Sequence, residues 1–377
     1  MRDLLPHLRQ WYSDGERFAV ATVIDTFRSA PRQPGAAMAV SGDGVVVGSV
    51  SGGCVEADVY EVARGVVETG VPAVRRYGVS ADDVFSVGLT CGGVIEVLVQ
   101  PVDAVSFAEF EAVADAVDSG RPVAVATVVT AGENLGQRLI VSADGVTGSL
   151  GDSGLDAAVV DAAMAMLEQG AAALRYYGPH GECQRTEVAV FVQAFTPPPR
   201  MFVFGAIDFA AAVARVGKFL GYHVTVCDAR GVFATRLRFP EADEVVVAWP
   251  HRFLAQALDQ GLVDRRTVLC VLTHDPKFDV SLLEVALRTG AGYIGAMGSR
   301  RTHEDRVSRL RAAGVTDAEL ARLSSPTGLD LGARTPEETA ISIAAEIIAS
   351  RSSAGGRPLS TTTGRIHGET ADRFAMR

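Results

Sequence analysis

The chain has 377 residues, 48% of them hydrophobic, which is enough to bury the cores of two or three domains. Its formal charge of −10 repels nucleic acid and anionic membrane surfaces alike, so neither is expected as a general partner. No apolar run reaches the roughly 18 residues of a membrane span, and five cysteines without a CxxC pair point to reduced thiols in a cytoplasmic protein.

The N-terminal half carries a degenerate duplication. Ala19-Val20-Ala21-Thr22-Val23 recurs as Ala124-Val125-Ala126-Thr127-Val128, and Val40-Ser41-Gly42-Asp43-Gly44-Val45 as Val141-Ser142-Ala143-Asp144-Gly145-Val146. Gly48-Ser49-Val50 returns as Gly148-Ser149-Leu150, and Arg75-Arg76-Tyr77-Gly78 as Arg175-Tyr176-Tyr177-Gly178. Each copy, about 10–102 and 118–195, reads as strand, turn, strand, helix and returning strand, so residues 1–196 form a duplicated α/β region. Its apolar strands leave a homodimer open.

What the copies do not share is a thiol. In Gly48-Ser49-Val50-Ser51-Gly52-Gly53-Cys54 an apolar run gives way to a helical pattern, which places Cys54 at the positive end of a helix dipole. Gly52 and Gly53 let backbone N–H groups or a ligand approach it. Cys91-Gly92-Gly93 mirrors this arrangement before the strand pattern Val94–Val99, and the two glycine-flanked cysteines point to one site. In the second copy Gly154 stands opposite Cys54, so that copy reads as scaffold. Cys227 and Cys270 lie within apolar runs and are expected in strands, whereas Cys183 lies in a polar turn.

Pro197-Pro198-Pro199 marks a domain boundary. Beyond it, strands are predicted at Met201–Phe204, His223–Cys227, Glu244–Ala248, Val268–Leu272 and Ala291–Ile294. Their alternation with helices predicts a Rossmann-like, doubly wound parallel sheet over 200–350. Ligands of such a sheet bind beyond the carboxyl ends of its strands, where this chain has Gly205, Asp228 to Arg230, His251, Thr273-His274-Asp275 and Gly295-Ala296-Met297-Gly298-Ser299-Arg300-Arg301. A glycine turn, a helix start near Thr302–Asp305 and two arginines favour a phosphate. The dinucleotide fingerprint is incomplete: Gly205 and Asp228 fit it, but Ile207 replaces the middle glycine and Asp208 adds negative charge. NAD or NADP binding is therefore disfavoured. Thr335-Pro336-Glu337-Glu338 starts a last helix, running to about Ala349, and 351–377 reads as a flexible tail.

Gly48–Glu56, Leu89–Gly93, Thr273–Pro276, Tyr293–Arg301 and Gly328–Glu338 together resemble the XdhC/CoxI family, a likeness running from about residue 10 to 350. The resemblance implies an N-terminal XdhC/CoxI region and a C-terminal Rossmann-like XdhC domain. It also implies an accessory protein, rather than a stand-alone enzyme, for molybdenum hydroxylases such as xanthine dehydrogenase and carbon monoxide dehydrogenase. Such proteins bind the molybdenum cofactor transiently, promote its sulfuration with a cysteine desulfurase and help insert it into the apoenzyme. The sequence departs from the family at Ile207-Asp208, where similar proteins commonly carry glycine and a polar residue.

Molybdopterin, alone or in its nucleotide form, has a sulfur-and-metal end and a phosphate end. Cys54 and Cys91 are the candidates for handling sulfur or contacting molybdenum. Gly298, Ser299, Arg300 and Arg301 are the phosphate candidates, with His274 and Asp275 nearby. The alternative is an NAD(P)-dependent oxidoreductase or a redox protein associated with xanthine dehydrogenase.

Overall fold

A computed structural model of the chain describes residues 2–27, 30, 32–78, 93–273, 275–352 and 354–362. Contacts divide the chain into two units between Pro197 and Pro198. Most of 351–377 lies outside the described residues.

In the first unit helix α1 (Leu5–Ser13) precedes β1 (Phe18–Phe27), β2 (Ala37–Val40), β3 (Val46–Gly48), α2 (Glu56–Thr69), β4 (Ala73–Gly78) and β5 (Val94–Val102). The second copy repeats the series with α3 (Phe110–Asp118), β6 (Val123–Val128), β7 (Arg138–Ser142), β8 (Gly145–Gly148), α4 (Ser153–Gln169), β9 (Ala172–Tyr177) and β10 (Val188–Phe195). The two five-stranded sheets have matching orders, β3-β2-β1-β5-β4 and β8-β7-β6-β10-β9, and every pairing within them is antiparallel. Each copy thus has three strands before its helix and two after, one more on each side than the repeated runs alone indicate.

Strand alternation divides the side chains between two cores. On β1, Ala19, Ala21 and Val23 pack beneath Val59, Ala63 and Val66 of α2, and in the second copy Ala124, Ala126 and Val128 pack with Val159, Ala163 and Met166 of α4. The opposite faces meet each other through Val20, Val102, Val123 and Phe195 in one cluster and Ile24, Leu98, Val129 and Phe191 in another. Burying each of these side chains is worth about 1.5–3 kcal/mol. The order of layers is therefore helix, sheet, sheet, helix. Glycine in the left-handed region ends both helices, Gly70 after α2 and Gly170 after α4.

The second unit runs β11 (Arg200–Phe204), α5 (Asp208–Phe219), β12 (His223–Asp228), β13 (Glu244–Val247), α6 (Pro250–Asp259), β14 (Val268–Val271), α7 (Pro276–Ala286), β15 (Tyr293–Ala296), α8 (Arg300–Ala312), α9 (Asp317–Leu320), β16 (Leu323–Ser324) and α10 (Pro336–Ser352). All six strands are parallel, in the order β13-β12-β11-β14-β15-β16. This is a doubly wound Rossmann sheet whose order reverses between β11 and β14, and such a reversal opens a crevice at the carboxyl ends of those strands. The thiols of Cys227 and Cys270, buried in β12 and β14, are each pushed up to about 12 by burial first, then by Asp228 and Glu346 respectively.

Most strand ends shift by one residue from the sequence expectation, and two element starts shift by two or more. Helix α8 starts at Arg300 because the Ser299 hydroxyl accepts the Thr302 amide (3.1 Å) and makes Ser299 the N-cap, several residues before the expected start. The fifth strand is Tyr293–Ala296 rather than Ala291–Ile294, since pairing with β14 begins at Tyr293. Helix α10 has the expected cap: Glu338 accepts the Thr335 amide (3.1 Å) and the Thr335 hydroxyl accepts the Glu338 amide (3.2 Å).

Candidate functional site

The Cys54 loop is organised by a carboxylate within the same motif. Glu56 Oε1 accepts the Ser49 hydroxyl (2.6 Å) and the amides of Ser51 and Gly52 (both 2.9 Å). Its Oε2 accepts the amides of Gly53 (2.8 Å) and Val55 (3.2 Å) and the Ser51 hydroxyl. The Ser51 hydroxyl oxygen in turn accepts the amides of Cys54 (2.9 Å) and Val55 (3.1 Å). Every amide from Ser51 to Val55 is therefore engaged at the start of α2.

Gly52 (φ 81°) and Gly53 (φ 118°) take the left-handed backbone that wraps the loop around the carboxylate. Burial alone would raise the Glu56 pKa, but the hydrogen bonds from Ser49, Ser51 and the backbone outweigh it and hold it at about 2. Cys54 is half-buried against the repeat-one core, between the exposed Gly53 and the buried Val55. Gly93 sits buried just ahead of β5, while Cys91 and Gly92 lie outside the described residues.

In the second copy the corresponding carboxylate, Asp156, accepts among the described residues only the Ser149 hydroxyl and the Leu150 amide (both 2.7 Å). Asp152 caps the helix instead, accepting the amides of Gly154 (2.9 Å) and Leu155 (3.0 Å) and holding His180 Nδ1 at 2.8 Å. A Cβ on Gly154 would stand 2.5 Å from the His180 carbonyl oxygen, so no side chain fits where the first copy has its thiol.

In the second unit Gly205 (φ 110°) turns the chain at the end of β11, where a Cβ would meet the Thr273 amide nitrogen at 3.0 Å. Asp228, 2% exposed, is consumed internally. It accepts the Ala206 amide (2.7 Å), the Arg230 amide (2.8 Å) and the Arg230 guanidinium at Nε (3.0 Å) and Nη2 (2.8 Å). Burial alone would raise its pKa, yet Arg230 and the Ala206 amide hold it below the usual carboxylate range.

Beside this turn lies an open crevice of about 470 Å³ bordered by Ala206, Ile207, Asp208, Arg230, Phe233 and Arg238. Both guanidinium groups stack on Phe233, at 4.9 Å for Arg230 and 5.6 Å for Arg238. Arg238 also donates to the Ala206 carbonyl and to Asp208 (both 3.1 Å), offsetting the negative charge at the start of α5. Two cations and a partly exposed ring beside the sheet reversal suit a phosphate attached to a flat heterocycle.

The remaining sequence candidates lie elsewhere on this edge. Asp275 is exposed and caps α7, accepting the Lys277 amide (3.0 Å), and His274 is outside the described residues. Ser299 is committed to its cap, and Arg300 and Arg301 are exposed on the first turn of α8. The arginine tied into this corner is Arg306, 3% exposed, which donates to Asp279 (3.0 Å), the Met297 carbonyl (2.8 Å) and Ser325 (2.9 Å). Its only sequence signal is the helical spacing Thr302, Arg306, Leu310. Among the described residues no group of three or more His, Cys, Asp or Glu side chains could hold a metal ion, and no helix is long and apolar enough to cross a membrane.

Family models match both units: the XdhC and CoxI family over residues 11–78 and 116–178, and the XdhC Rossmann domain over residues 201–347. The chain belongs to the XdhC/CoxI family. The first match covers both copies of the duplication. A Bacillus subtilis protein named as a probable xanthine dehydrogenase subunit is 28% identical over 340 residues, covering 90% of this chain and 94% of that protein. The molybdenum cofactor insertion chaperone PaoD of Escherichia coli is 24% identical over 346 residues, covering 89% and 84%. A crystal structure of a xanthine dehydrogenase from Bacillus halodurans matches with a TM-score of 0.67 at 26% identity, over 96% of this chain and 97% of that one. In this XdhC/CoxI chain Arg230 stands at a strand end where the sequence places it, whereas the roles of Glu56, Phe233 and Arg238 are features that residue-type reasoning passed over, because they depend on backbone turns and on side chains that meet only in the fold.

Proposed function

We propose that this XdhC/CoxI protein is a maturation chaperone that binds the molybdenum cofactor and inserts it into a xanthine dehydrogenase-type apoenzyme. The observation that carries the reading is whole-chain similarity to a relative named as a molybdenum cofactor insertion chaperone, together with one named as part of a xanthine dehydrogenase. The cofactor is cargo: its dithiolene-bound molybdenum will do the redox chemistry only in the client enzyme. What this chain contributes is binding, orientation and protection.

Cys54, on its carboxylate-ordered loop, is assigned to the molybdenum and sulfur end, where a soft thiolate suits both metal contact and sulfur handling. Cys91 joins it by the family resemblance, and a cysteine desulfurase is the proposed sulfur source. Arg230, Phe233 and Arg238 are assigned to the phosphate and any attached nucleotide, since they border the crevice at the sheet reversal. Arg300 and Arg301 are the second phosphate candidates.

The test is anaerobic incubation with molybdenum cofactor, native mass spectrometry, and transfer to cofactor-free xanthine dehydrogenase. Wild type should retain the cofactor and restore hydroxylase activity. Cys54→Ala should deliver less active enzyme, and Arg230→Ala/Arg238→Ala should weaken retention more than Arg300→Ala/Arg301→Ala. Wild type that neither retains nor delivers the cofactor would overturn the reading. A Cys54→Ala protein that delivers as well as wild type would remove the thiol from it.

A further inference from the structure

The repeated run Ala-Val-Ala-Thr-Val places one threonine from each copy, Thr22 and Thr127, on the faces where the two antiparallel sheets meet. These faces are apolar on either side of a polar waist. Glutamines from the two copies cross it reciprocally: Gln100 Nε2 donates to the Gly136 carbonyl (3.4 Å) and Gln193 Nε2 to the Gly35 carbonyl (3.3 Å). The waist holds a cavity of about 40 Å³, room for the centres of about three waters by the usual 10–15 Å³ each.

One residue breaks the symmetry. Arg138 pairs with Thr127 on the neighbouring strand, and the equivalent partner of Thr22 is Ala37. The guanidinium therefore enters the waist from one copy alone. Its Nη1 donates to the Ser106 carbonyl (2.6 Å) and the group lies 4.3 Å from the centre of the Phe107 ring. Among the described residues no carboxylate oxygen lies within 4.0 Å of it. Burial lowers its pKa to about 10, with Glu109 acting in the opposite direction from beyond ion-pair distance. Thr22 (9% exposed) and Thr127 (4%) border the same cavity, and no protein acceptor for their hydroxyls is found among the described residues.

We propose that this cavity binds a small inorganic anion, no larger than sulfate, held by the remaining Arg138 N–H groups and the Thr22 and Thr127 hydroxyls. Arg138 is half-buried, and a half-buried cation without a counter-charge is costly; an anion in the cavity supplies that charge while using donors for which no protein acceptor is found among the described residues. Water would satisfy the hydroxyls but leave the charge uncompensated. The bound ion would tie the two copies together at the centre of the first unit.

The direct test is crystallisation of the full chain with sodium bromide and measurement of anomalous scattering at the bromine edge. A peak within hydrogen-bond distance of Arg138 and a threonine hydroxyl is expected, and water alone in the cavity would overturn the proposal. In solution, millimolar sulfate at constant ionic strength should raise the Tm of wild type by about 2–4 °C, and leave Arg138→Met and Thr22→Val/Thr127→Val unmoved. Equal shifts in all three proteins would also overturn it, because sulfate would then be acting on the surface at large. The bromide measurement needs only wild type and stands even if a variant fails to fold.

Discussion

Replacing Glu56 by Gln tests whether one carboxylate sets the shape of the Cys54 loop. The amide keeps one acceptor oxygen but turns an NH₂ toward donors that now point at Oε2: the amides of Gly53 and Val55 and the Ser51 hydroxyl. The carboxyl pKa falls from 4.5 to about 2 in the fold. That drop is an upper bound of about 3 kcal/mol, which solvent screening of a half-exposed group reduces to about 1–2 kcal/mol. The sign follows from the depressed value: the contribution is complete above the unfolded pKa near 4.5 and disappears as pH falls toward 2.

The duplication supplies an internal control. Asp156→Asn removes a carboxylate with only two partners, and about 0.5–1 kcal/mol is expected. Urea unfolding at neutral pH should rank Glu56→Gln below Asp156→Asn, and the gap between Glu56→Gln and wild type should narrow below pH 4.5 and close near pH 2. Peptide-resolved alkylation of native protein should show Cys54 reacting roughly five- to thirty-fold faster in Glu56→Gln, as an opening cost lowered by ~1–2 kcal/mol implies. Equal destabilisation by the two substitutions, with unchanged Cys54 alkylation, would refute the carboxylate's role.

Four further outcomes follow from the same geometry. Asp228→Asn should cost the second unit about 2–3 kcal/mol in chemical denaturation, since it weakens charge-assisted bonds to Arg230. Because those bonds occupy Asp228 in wild type, titration with NADH should give no saturable change in nicotinamide fluorescence. Arg306→Met should destabilise by about 3–5 kcal/mol by leaving Asp279 buried without its partner, measured as the urea midpoint at constant m. Gly154→Cys should lower stability by about 1–3 kcal/mol, because the new side chain meets the His180 carbonyl, and it should not restore cofactor transfer to a Cys54→Ala protein.

Much of the architecture is legible in the sequence because it rests on periodic signals. Strand runs and glycine turns recur in the first half, and strands alternate with helices in the second, so the duplication and the parallel sheet follow from pattern. What pattern cannot supply is which sheet face meets which. The alternation Val20, Thr22, Ile24 reads as a half-polar strand, yet in the fold that face is covered by the other copy. Strand β16, at two residues, is too short to carry a periodic signal. Arg306 sits in a helix crowded with arginines, where a solvent-facing position is the natural reading; its burial depends on Asp279 from another helix and Ser325 from a later turn.

The two copies also show how one loop can stay open while its duplicate becomes a brace. Both preserve the Gly-Ser turn and a carboxylate eight residues after its glycine, so the local frame predates their divergence. In the first copy that carboxylate gathers the amides from Ser51 to Gly53, and two glycines leave the loop's outer surface without side chains. In the second, Asp152 takes over the helix cap, His180 anchors to it, and the His180 carbonyl closes over Gly154. A side chain at position 154 would have to displace that backbone, whereas one at position 54 lies beside Gly52 and Gly53, where among the described residues no atom would meet a Cβ within 4 Å. The asymmetry is therefore a matter of access: the first copy invests its carboxylate in holding a thiol-bearing loop, and the second invests its own in sealing the same place.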